Sequence, residues 1–97
     1  MIIKVTVSGG WAGLRSTCVI DTQSLPERDA RQIEDAVLVC IEIGMPAAPS
    51  RARDARMYKV VAESDGAVRI LSFSEAVATP EAISMLRVIR PICPQLG

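Results

Sequence analysis

Met57-Tyr58-Lys59-Val60-Val61-Ala62-Glu63-Ser64-Asp65-Gly66-Ala67-Val68-Arg69-Ile70-Leu71-Ser72-Phe73 is two apolar runs joined by an Asp-Gly step. Asp-Gly supplies the positive backbone angles of a two-residue hairpin turn, and β-branched residues at alternate positions suit a half-buried strand. Tyr58, Val60 and Ala62 share one face of the first run, and Val68 and Ile70 share one face of the second. The reading is an antiparallel hairpin of strands over 57–64 and 67–73. Beyond it, Thr79-Pro80-Glu81 marks a helix start, with Thr79 as cap and Pro80 at the first helical position. Ile83, Leu86, Val88 and Ile89 supply the apolar face of this helix, Pro91 ends it, and residues 91–97 are expected to form a flexible tail.

The N-terminal half repeats this order. Ile3, Val5 and Val7 alternate with Lys4 and Thr6 in a strand over 2–7, and a second strand over 14–20 carries Thr17, Val19 and Ile20. Between them lies Ser8-Gly9-Gly10-Trp11-Ala12-Gly13, a hairpin loop with three glycines. After a polar turn over 21–24, Ser24-Leu25-Pro26-Glu27 reads as a capping box, with Ser24 as cap and Glu27 reaching back. Ala30, Ile33, Val37, Cys40 and Ile41 then fall at helical spacing, and Gly44 with Pro46 stops the helix. Its exposed side carries Glu27, Asp29, Glu34 and Asp35, read as a solvated face. The stretch 44–56, with Pro46, Pro49, Arg51, Arg53 and Arg56, reads as a basic surface loop. The resulting order is ββαββα, an α+β fold in which a small antiparallel four-stranded sheet has one face covered by two helices.

Composition narrows the functional classes. The chain has 97 residues, enough for one domain over 1–97, and 49% of them are hydrophobic, which excludes a disordered class. Eleven basic residues balance eleven acidic ones, and only three are aromatic. This leaves no electrostatic footprint or stacking platform for nucleic acid. No apolar run is long enough for a membrane span. There is no histidine, so the common general base and the usual nitrogen ligand for zinc are both missing. The serines and threonines therefore have no base to activate them, and an enzyme is the weakest class. Cys18, Cys40 and Cys93 form no CxxC pair; they read as reduced, buried thiols of a cytoplasmic protein. No cofactor and no metal site are expected.

The loop after the first strand admits several readings. A phosphate cradle would need a helix after its glycines, and here a strand follows, so that reading is set aside. A flexible hairpin turn remains. So does an exposed recognition loop, because glycines let a backbone approach a partner closely and Trp11 at a loop tip is a good anchor.

Ser8-Gly9-Gly10-Trp11-Ala12-Gly13 together with Val19-Ile20-Asp21 and Leu25-Pro26 resembles the emfourin family, small bacterial and archaeal proteins identified as protealysin inhibitors. The resemblance extends over 1–91, through Asp54 and Tyr58, the Asp65-Gly66 turn, and Glu75 with Thr79 and Pro80. The family commonly has phenylalanine where this chain has Trp11. The resemblance implies a non-enzymatic inhibitor of thermolysin-like zinc metallopeptidases, monomeric when free, that occludes the active-site cleft without covalent chemistry. Ser8, Gly9, Gly10, Trp11, Ala12, Gly13 and Leu14 are the expected contact residues. The alternative is an interaction module using the same loop for a partner that is not a protease.

Overall fold

The computed structural model describes residues 1–9, 14–44 and 56–96. Strands β1 (Ile2–Gly9) and β2 (Leu14–Asp21) form the first hairpin, and helix α1 (Glu27–Ile43) follows. Strands β3 (Arg56–Ser64) and β4 (Ala67–Ser74) form the second, and helix α2 (Pro80–Ile89) follows it. The four strands make one antiparallel sheet in the order β2-β1-β3-β4. This is the expected ββαββα, α+β architecture.

Alternation sorts the side chains cleanly. Ile3, Val5, Val7, Cys18, Ile20, Tyr58, Val60, Ala62, Leu71 and Phe73 point to the covered face and are buried. Ile33, Val37 and Cys40 of α1 and Ala82, Met85, Leu86 and Ile89 of α2 close over them. Tyr58 and Phe73, opposite each other on β3 and β4, stack with ring centroids 5.1 Å apart. Val68 and Ile70 do share a face, but it is the uncovered one: they are 56% and 61% exposed. On α2 the expected Ile83 is largely solvent-exposed, and Met85, not singled out from the sequence, takes the core position.

The turns follow local chemistry. Asp65 (φ 51°) and Gly66 (φ 79°) are both left-handed, as a type I′ hairpin requires. Thr79 accepts from the amide of Ala82 at 3.2 Å, with Pro80 in the first turn of α2. The expected capping box at α1 is not formed. Residues Thr22–Ser24 make a turn of 3-10 helix, capped by Asp21, whose carboxylate accepts from the Gln23 amide at 3.0 Å. That turn redirects Ser24, whose hydroxyl donates to the Asp21 carbonyl at 2.7 Å. Pro26 stands at the N-cap of α1 without a side-chain hydrogen bond, and Glu27 pairs with Arg31 one turn on.

Three other expectations change. Cys18 and Cys93 are joined in a disulfide, with Cα atoms 6.0 Å apart, so only Cys40 is a free thiol. This removes the thiol-based ground for expecting a reducing compartment. The tail expected to be flexible is packed as far as Leu96: Cys93 and Leu96 are buried, and the 3-10 turn Pro94–Leu96 lies against β2. Glu34, read as part of a solvated face, accepts a 2.6 Å hydrogen bond from the buried Thr22 hydroxyl.

Candidate partner-binding site

Of the seven expected contact residues, Ser8, Gly9 and Leu14 lie on strands. Gly10, Trp11, Ala12 and Gly13 lie outside the described residues, as does most of the basic loop over 44–56. β1 is an inner strand, hydrogen-bonded on both sides along its length, and its register runs to its last residue. Ser8 pairs with Arg15 on one side and Met57 on the other; Gly9 pairs with Leu14 and Arg56. Gly9 has φ 85°, a left-handed conformation that costs glycine nothing. Both ends of the loop are therefore anchored in the sheet.

The register also brings together residues that are far apart in sequence. Arg56, where the chain returns from the basic segment, stands beside Gly9. Arg15 and Arg56 are both exposed, and Lys59, opposite Thr6, stands two rows below the Ser8–Arg15 pair. The strand ends on either side of the loop thus carry positive charge that the loop's own composition does not reveal. Strand order alone creates it, and a run of basic residues at 51–56 was its one sequence signal.

Elsewhere the described surface offers no catalytic arrangement. A depression between the two helices is lined by Asp29, Gln32, Ser84, Arg87, Val88 and Ile92. Such mixed polar and apolar groups lack a nucleophile with a base to activate it. Among the described residues no group of three acidic or cysteine side chains could hold a metal ion, and no helix is long and apolar enough to cross a membrane. Burial pushes the Cys40 thiol above its ordinary pKa, and the Glu81 carboxylate adds to the effect, so it stays protonated and unreactive near neutrality.

A search of curated proteins and a search of solved structures each find no match. The Emfourin family model, in contrast, matches residues 5–90, nearly the whole chain, from the middle of β1 to the end of α2. Emfourins are protease inhibitors directed at metallopeptidases. The chain belongs to the Emfourin family, and it is an inhibitor and not an enzyme.

Proposed function

We propose that the protein inhibits thermolysin-like zinc metallopeptidases by seating the loop Ser8 to Leu14 in the active-site cleft, non-covalently and reversibly. The observation that carries this reading is the three-strand anchorage of Gly9, flanked by Leu14 and Arg56. A loop whose ends are already fixed loses little conformational freedom on docking, so more of the contact energy appears as affinity. Trp11 supplies an aromatic anchor, and the glycines beside it admit close backbone approach. A standard interface takes about 800 Å² from each partner, a modest share of the 6195 Å² surface here. Arg15 and Arg56 place positive charge around the contact and would steer an acidic cleft rim toward it.

Titration of a thermolysin-like enzyme with the pure protein, followed with a peptide substrate, tests the reading. Inhibition that is competitive with substrate and reversed by dilution is expected. Absence of inhibition at micromolar protein would sink it and leave the loop to a partner of another kind.

A further inference from the structure

A standard interface takes about 20 to 30 residues from each partner. The loop Ser8 to Leu14 offers seven, and four of them are glycine or alanine. Surface continuous with the loop has to supply the remainder. The uncovered face of the sheet is continuous with it through Ser8 and Arg15, which pair at the loop's base.

Charge on that face is sorted along the strands. The half nearer the loop holds Arg15 and Lys59 as its only charges, and both are exposed. The far half holds Lys4, Asp21 and Glu63. Lys4 has a carboxylate at a diagonal position on each side, Asp21 on β2 and Glu63 on β3, so its charge is balanced locally. Arg15 and Lys59 have no carboxylate at any neighbouring position on the face, and among the described residues neither is in an ion pair. Arg15 and Asp21 are six residues apart on β2, about 20 Å at the rise of an extended strand. Screening in physiological salt acts over about 8 Å, so the far carboxylates do not offset the cations beside the loop. Directly across from these cations stand the short hydroxyl side chains of Ser8, Thr6 and Ser72, so both project beyond the surface around them.

We infer that Arg15 and Lys59 form a second contact with the inhibited metallopeptidase, against a carboxylate-bearing surface beside its active-site cleft. This contact rests on the inhibition proposed above and enlarges it from the loop to the adjoining half of the uncovered face. Neither cation gives up an internal ion pair on docking, and a patch of one sign speeds encounter with a surface of the other. The loop itself is uncharged from Ser8 to Leu14. Arg15 and Lys59 therefore supply a discrimination that the loop lacks, favouring peptidases whose cleft has an acidic rim over those without one.

Inhibition kinetics with a thermolysin-like enzyme test this, together with lysine acetylation. Arg15→Glu combined with Lys59→Glu is expected to slow association about tenfold or more at about 50 mM salt, with a smaller gap at about 500 mM. Arg87→Glu, a charge reversal on α2 in the helix layer, should leave the association rate within about twofold of wild type. Lys4 and Lys59 are the chain's two lysines, so acetylation of the wild-type chain reads the contact whether or not a variant folds well. In the complex Lys59 should react about tenfold more slowly than in the free chain, and Lys4 should be slowed less. Unchanged inhibition by the double variant, or equal reaction of Lys59 in free and bound chain, overturns this contact and leaves the loop reading standing. An equal loss in Arg87→Glu overturns it as well, by reducing the effect to overall charge. Absence of inhibition by the wild-type chain overturns the inhibitory reading, and this contact with it.

Discussion

Cys18, at the covered face of the edge strand β2, is bonded to Cys93, 75 residues further along the chain. A cross-link of that span removes much of the loop-closure entropy of the unfolded chain, an effect of about 2 to 4 kcal/mol. It also holds Cys93 and Leu96 against β2, in the same core as the two helices. Replacing both cysteines by alanine is expected to lower stability by that amount, read as a lower urea midpoint. Reductant should shift the wild-type midpoint similarly and leave the double variant unmoved.

Tyr58 is 1% exposed, and its hydroxyl finds no hydrogen-bond partner among the described residues. A buried hydroxyl without a partner forfeits its bonds to water and gains nothing in return. Tyr58→Phe keeps the ring stacked on Phe73 and removes the uncompensated group. The variant is expected to gain about 1 kcal/mol in urea unfolding. A loss of stability of that size would mean that the hydroxyl is bonded in solution.

Thr22 is buried at the end of the first hairpin, and its hydroxyl lies 2.6 Å from Glu34 and 3.0 Å from the Met1 carbonyl. Its one proton serves the carboxylate, the nearer and charged acceptor, and so ties β2 to α1. Thr22→Val is expected to cost about 1.5 kcal/mol, because it leaves Glu34 half-buried without its donor. Thr22→Ser keeps the hydroxyl and should cost distinctly less in the same denaturation experiment.

What could be read from the sequence was what local chemistry decides. Asp65-Gly66 and Thr79-Pro80 each hold their whole signal within a few residues, and both turns formed as expected. At α1 the local signal of Ser24 was overridden: the 3-10 turn after β2, capped by Asp21, takes up Ser24, and Pro26 stands at the N-cap of the helix. Alternation on β4 separated two faces but could not say which one the helices cover, so the exposure of Val68 and Ile70 waited for the fold. Contacts between distant segments had no local trace at all. Neither the Cys18–Cys93 pairing nor the meeting of Gly9 with Arg56 can be inferred from spacing, since both arise from the packing of whole elements.

Cys40 gives a pH dependence with a definite sign. Burial, reinforced by Glu81, raises its pKa in the folded chain above the ordinary 9.0, so at alkaline pH the unfolded chain releases this proton first. Stability from this group is complete below about pH 9 and declines as pH rises from there through the folded-state pKa. Wild type and Cys40→Ala, compared in urea at pH 7 and pH 10, should show a smaller alkaline loss in the variant. Equal losses would place the alkaline sensitivity in other groups.

Trp11 is the residue on which the proposed inhibitory contact chiefly depends. The loop it belongs to leaves β1 at Gly9 and rejoins the sheet at Leu14, so Trp11 is not one of the residues in the β1–β2 register. An aromatic anchor at the centre of an interface is typically worth 2 kcal/mol or more, so Trp11→Ala should weaken inhibition of a thermolysin-like enzyme about 30-fold or more. Trp11→Phe, which keeps an aromatic ring and brings in the residue common in the family, should retain most of it. The urea midpoints of both variants should stay close to wild type, which separates a lost contact from a lost fold. Unchanged inhibition by the alanine variant would move the contact surface away from the loop even if the protein is a potent inhibitor.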